Sequence, residues 1–103
     1  MADKLLQIER LSQDMAKQFS SDPGEWMKFL ETASRVYKYN FHEQILIYAQ
    51  RPEATACASM NIWNKRMYRW VKRGSKGIAL IDDTAQKSRL RYVFDVSDTY
   101  KVR

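Results

Sequence analysis

The sequence holds one cysteine, Cys57, among 103 residues. That excludes an internal disulfide and an all-cysteine metal site within one chain. A lone cysteine is ordinarily a small buried hydrophobe. Histidine is equally scarce, with His42 alone and Glu43 next to it. The helical zinc-peptidase motif needs a second imidazole four residues on, and Leu46 stands there instead. No metal and no cofactor are expected. No apolar run approaches the roughly 20 residues that a membrane-spanning helix requires. The opening MADKLLQIER is charged and lacks the apolar core of a secretory signal. The expected location is therefore the cytoplasm, with no membrane partner.

Glycine numbers three, and two of these, Gly74 and Gly77, bracket Ser75 and Lys76. A phosphate loop requires Gly-x-x-x-x-Gly-Lys-Ser/Thr between a strand and a helix. Here the order of glycine and lysine is wrong and a strand follows, so nucleotide hydrolysis is not supported. The carboxylates Glu25, Glu31, Glu43, Asp82, Asp83 and Asp95 fall at caps, outer helix faces and strand ends. No acid–base pair emerges from that spacing, and the chain is not expected to be an enzyme.

Also lacking is negative charge over Ile62–Ile81, where six cations meet no acidic residue. They are Lys65, Arg66, Arg69, Lys72, Arg73 and Lys76, interleaved with Trp63, Tyr68 and Trp70. Residues 1–53 hold 7 basic and 8 acidic side chains, and residues 82–103 hold 5 and 4. The net charge of +6 thus resides in one stretch. Charge so concentrated speaks of partners rather than of fold.

The remaining pattern predicts one small α+β domain, three to four helices followed by a small antiparallel hairpin or sheet. Leu5, Ile8, Leu11, Met15 and Phe19 recur at helical spacing over Asp3–Phe19. Ser20 to Gly24 ends that helix. Asp22, Pro23 and Glu25 then read as a capping box opening a second helix. Its expected apolar face is Trp26, Phe29, Leu30, Ala33, Val36 and Tyr37. Lys28, Glu31 and Arg35 are expected outside, with Glu31 and Arg35 paired across one turn. Asn40 and Glu43 predict a third helix from Phe41 to Gln50, stopped by Arg51-Pro52. Phe41, Ile45, Leu46, Tyr48 and Ala49 are its expected buried residues. The stretch 36–41 also suits a partly extended chain.

Glu53–Ala58 reads as a connection, and Ser59 as the cap of a fourth helix over Met60–Tyr68 with Ile62, Trp63 and Met67 inward. Tyr68–Lys72 is strand-like or a helix exit. Arg73–Gly77 is a turn whose glycines can take positive φ. Ile78–Ile81 is a short buried strand, Thr84–Arg89 a polar loop, and Leu90–Val96 a second strand with Leu90, Tyr92 and Phe94 on one face.

Single-stranded nucleic acid offers a phosphate chain and uncovered base faces, which suit a groove of cations beside aromatic rings. Exposed turn N–H groups add to anion binding. Arg69, Lys72, Arg73 and Lys76 are the expected phosphate contacts, with Lys65 and Arg66 in support. Tyr68 and Trp70 are the expected stacking surfaces, although tryptophan is equally at home in a core. Gly74 and Gly77 shape the turn. Trp63 and Ile78–Ile81 are expected to anchor the core. Single-stranded DNA and RNA both present these features. The alternative is a docking module whose basic turn meets an acidic protein surface, such as another domain of the same polypeptide.

The pattern from Trp63 to Ile81, W…RWVKRGSKGIALI, resembles the N-terminal domain of the ArdC antirestriction family of plasmids and conjugative elements. Tyr39–Gln50 resembles the same family, in which an aromatic and Asn step leads into an apolar helix. The resemblance spans roughly residues 25–96, with residues 1–24 as a leading helix outside it. It extends to the start of large multidomain proteins of conjugative transposons, so the chain is expected to be a piece of a longer protein. It implies sequence-independent single-stranded DNA binding. The peptidase-like domain of that family is not within this sequence, and Ser75 stands where the family often has Glu.

Overall fold

The computed structural model describes residues 2–84 and 86–102. Ala85, inside the loop expected over Thr84–Arg89, lies outside the described residues, as do Met1 and Arg103. The architecture is α+β. Four helices, α1 (Ala2–Ser21), α2 (Pro23–Arg35), α3 (Phe41–Gln50) and α4 (Met60–Lys65), accompany five short strands. These are β1 (Cys57–Ala58), β2 (Arg69–Val71), β3 (Ile78–Asp82), β4 (Arg89–Asp95) and β5 (Thr99–Lys101).

Local capping chemistry sets the helix starts. Asp22 is extended, and its carboxylate accepts from the Glu25 N–H. Only half of the expected capping box forms, because the Glu25 carboxylate accepts from the Tyr48 hydroxyl instead. Asn40 and Glu43 form the full box at α3, with bonds of 2.8 and 3.2 Å. Ser59 caps α4 through the Ile62 N–H.

Two buried clusters hold the elements together. One gathers Ile8, Leu46, Ile47, Ile78–Ile81 and Val93, which locks α1 and α3 onto β3 and β4. The other joins Phe29, Ile45 and Tyr48 with Phe19 and Trp26. In it, Phe29 and Tyr48 meet edge to face at 5.8 Å, a favoured aromatic geometry. The leading helix α1 is thus a working part of the core.

The Arg35 side chain turns inward, and its guanidinium donates to the Ala54 carbonyl at 2.8 Å and the Pro52 carbonyl at 3.0 Å. The expected Glu31–Arg35 pair is therefore replaced by a clamp on the α3–β1 connection. Several residues expected inside are exposed. Leu30 and Tyr37 leave the α2 stripe, Phe41 lies at the start of α3, and Ile62 and Met67 flank the end of α4. Helix α2 ends at Arg35, so Tyr37 no longer follows its face. Helix α4 stops at Lys65, because the Arg66 and Met67 N–H groups both converge on the Ile62 carbonyl.

One sheet has the order β1-β4-β3, fully antiparallel, with β4 central. Its β3–β4 hairpin is the expected one, with Ile78 opposite Val93. The inward face of β4 carries Val93 and Asp95, both buried, whereas Tyr92 is exposed and Leu90 and Phe94 are half-buried. The expected face is thus the outer one. Helix α3 covers the Val93 side, where Arg91 of β4 reaches Glu43 at 2.6 Å. The outer edge of β3 is closed by Gln50, whose side-chain amide exchanges two bonds with the Ala79 backbone at 2.8 and 2.9 Å.

A second, two-stranded ribbon pairs β2 with β5, antiparallel. Neither β5 nor β1 was expected from the sequence pattern. Both are very short, and each depends on a distant partner strand.

Candidate nucleic-acid interface

The basic stretch runs through α4, β2 and the turn into β3. In the ribbon, Arg69 lies opposite Lys101, Trp70 opposite Tyr100 and Val71 opposite Thr99. Strand side chains alternate between faces, so Trp70 and Tyr100 share one face while Arg69, Val71, Thr99 and Lys101 share the other. Thr99 is buried, whereas Trp70 is 47% and Tyr100 49% exposed. Two aromatic rings therefore stand on the solvent face of one ribbon. Tyr68 precedes them, is 73% exposed, and takes φ of 55°. An aromatic residue in the left-handed region is strained by about 1–2 kcal/mol. The Val102 N–H donates to the Tyr68 carbonyl and secures that conformation.

The six cations have different surroundings. Lys65, Arg66, Arg73 and Lys76 are exposed. Arg69 turns to the inner face, where its guanidinium donates to the Thr99 hydroxyl at 2.6 Å and the Thr99 carbonyl at 3.3 Å. Its fork is largely spent on holding the ribbon. Lys72 is exposed, and its ammonium rests on the Ser97 carbonyl at 3.3 Å. Among the described residues none of the six is within ion-pair distance of a carboxylate. The ion pairs among the described residues are Arg51–Glu53, Arg51–Asp98, Arg89–Asp82 and Arg91–Glu43. The described residues thus place no carboxylate against the cations of the stretch.

The turn is built as its glycines demand, but each contributes differently. The Ser75 N–H donates to the Lys72 carbonyl, and Gly74 in the third position has φ of 84°, as a type II turn requires. Gly77 has no positive φ. It lies beneath the aromatic rings of β4, where an added Cβ would come within 3.1 Å of Tyr92. Its role is close approach, not turn geometry.

Lys76 lies beyond the turn, in a small cavity it shares with Lys4, Gln50 and Arg51. Arg51 is already paired with Asp98 at 2.8 Å, and hydrogen bonding to Asp98 pushes its own pKa up. Trp63 is buried, and its indole N–H donates to the Phe94 carbonyl at 2.9 Å. It belongs to the scaffold.

Sequence reasoning missed Tyr100 and Lys101, which complete the ribbon from a segment outside the basic stretch. Thr99-Tyr100-Lys101 is too short for alternation to reveal. Lys4 was missed because it lies on α1, some 70 residues before Lys76.

Two other features bear on stability near the site. Asp95 is buried. One carboxylate oxygen accepts from the Thr55 and Ala56 N–H groups and the other from the Ser97 N–H and hydroxyl. Burial raises its pKa, but these donors outweigh burial and hold the carboxyl below its ordinary value. Burial, with Asp95 nearby, pushes the Cys57 thiol up to about 12.

No helix among the described residues is long and apolar enough to cross a membrane, and the described residues contain no cluster of three or more metal-ligating side chains. Compared with protein-family models, curated proteins and solved structures, the chain matches none.

Proposed function

We propose that this domain is a non-catalytic module that binds single-stranded DNA without sequence preference, as in the ArdC antirestriction kind of mobile-element protein. The observation that carries this reading is the Trp70–Tyr100 pair, half-exposed on one ribbon face beside cations that have no carboxylate partner among the described residues. Base faces stack on aromatic rings whatever their sequence, and Lys and Arg follow the phosphates. Tyr68 extends the aromatic face. Lys65, Arg66, Lys72, Arg73 and Lys76 supply the phosphate contacts, while Arg69 fixes the ribbon.

The test is a titration of a labelled oligothymidylate by fluorescence anisotropy at several salt concentrations, with a duplex of equal length as control. Each neutralised phosphate contributes about −0.7 to the slope of log K against log salt. Five contacts give a slope of about −3 to −4. A flat salt response, or tighter binding of duplex, overturns the proposal.

A further inference from the structure

An apolar groove opens beside the aromatic ribbon, between the α2–α3 connection, β1 and α4. Its volume is about 460 Å³, within the range of small-ligand pockets. Its walls include Tyr37, Ile62, Trp63 and Met67. Three of these, Tyr37 at 70%, Ile62 at 42% and Met67 at 54%, are large side chains left open to solvent. Such a grouping marks a binding surface more often than scattered exposed residues do.

Three features indicate what the groove takes. The first is continuity, because Met67 lines the groove and the next residue is the strained, exposed Tyr68 that opens the ribbon. The second is charge. Lys38 is exposed at the rim, and among the described residues no carboxylate lines the groove. Arg66, also exposed, follows Ile62 by four residues and so falls on the same side of α4. The third is a backbone donor. The Val96 N–H bonds the Ala56 carbonyl, and Cys57 lies opposite Asp95. Bonded and non-bonded pairs alternate in an antiparallel ladder, so the Cys57 N–H and carbonyl point away from β4. The Tyr39 hydroxyl, in the groove wall, already donates to that carbonyl at 2.9 Å. The N–H points to the same side.

We propose that the groove is a nucleotide subsite, which holds one base of the strand bound to the ribbon against Tyr37, Ile62 and Met67, with its phosphate at Lys38 and Arg66. This rests on the single-strand reading above. A flat apolar ring joined to a negative charge matches apolar walls with a cationic rim and no acid.

The experiment follows the Ile62 and Met67 methyl signals and the Cys57 amide by NMR in the full chain. The titrants are an oligothymidylate of about twelve nucleotides and, separately, thymidine monophosphate. Both titrants are expected to move the groove signals, and the oligonucleotide also moves Trp70 and Tyr100. Replacing the two exposed walls together, Tyr37→Ala with Met67→Ala, is expected to weaken oligonucleotide binding about tenfold while leaving the salt slope unchanged. If the oligonucleotide moves Trp70 and Tyr100 but not the groove signals, the subsite is overturned and the ribbon reading survives. If it moves neither set, both fall. If the groove signals respond to an acidic, leucine-rich peptide and to neither nucleic-acid probe, the occupant is a protein segment and the proposal is overturned.

Discussion

Trp70 and Tyr100 stand opposite one another in the β2–β5 register, and both show about half of their surface to solvent. Thirty residues of chain separate them, and the ribbon makes them one aromatic surface. Trp70→Ala and Tyr100→Ala are each expected to weaken single-strand binding by about 1–3 kcal/mol per lost stack. Trp70→Phe retains most of the affinity, because it keeps a π face. Urea melts of these variants change much less than the affinity, since neither ring is a core residue. Anisotropy and denaturation on the same samples separate the two effects, and unchanged affinity in both Ala variants removes the ribbon from the interface.

Arg69 and Arg73 lie four residues apart, yet substitution separates their roles. Arg69→Ala breaks two bonds to Thr99 and is expected to lower unfolding stability by about 1–2 kcal/mol. Arg69→Lys does not restore it, because an ammonium lacks the planar fork. Changing Arg73 and Lys76 together to Ala leaves stability within about 0.5 kcal/mol, as for other surface changes. The salt slope of that double variant falls in magnitude by about 1.4. A loss of stability in the double variant, or a full slope loss in Arg69→Lys, reverses the assignment.

Asp95 makes the fold sensitive to acid. Its folded pKa is lowered, so its contribution is fully present above the unfolded value of about 3.9. That contribution is lost as pH falls through the lower folded value. Asp95→Asn places an amide N–H against donors and is expected to cost about 2–3 kcal/mol near neutral pH. The difference between wild type and variant narrows progressively below about pH 4. Urea midpoints measured from neutral to acidic pH check this, and a gap that stays constant with pH contradicts it.

Cys57 is expected to be a slow thiol. With its pKa pushed up to about 12, almost none is thiolate near pH 8, and the thiolate is the nucleophile. Alkylation by iodoacetamide is expected to be much slower in the native chain than in urea. Comparable rates in the two states show that the thiol is not shielded by the fold.

The parts of this fold legible in the sequence are those set by neighbours along the chain. Asp22, Asn40 and Ser59 each cap a helix as their spacing predicts, and α3 has the expected bounds because Asn40 and Pro52 lie within a few residues of its ends. The β3–β4 hairpin announced itself through two apolar runs. Strands β1 and β5 did not, because two and three residues carry no period and their partners lie 28 or more residues away. Which apolar residues are covered was also illegible. Tyr37, Ile62 and Met67 have the spacing of a core, but α2 and α4 end before reaching Tyr37 and Met67, and Ile62, inside α4, faces the groove beside them.

The candidate site was half legible. The cations and Tyr68 and Trp70 are contiguous in sequence, so their charge and aromatic content could be counted. That Arg69 turns inward onto Thr99, and that Tyr100 faces Trp70, follow from a pairing that local pattern does not encode.

The Gln50 side chain lies along Ala79 as a neighbouring strand would, giving and accepting one bond each. An amide side chain thus imitates one peptide unit and occupies the position where a foreign strand would begin to add. Unprotected sheet edges are where chains polymerise. Gln50→Ala should therefore be read first as a solubility change: the open edge would let β3 recruit β3 from another molecule, and fibrillar aggregation at high concentration would report it before any loss of binding did.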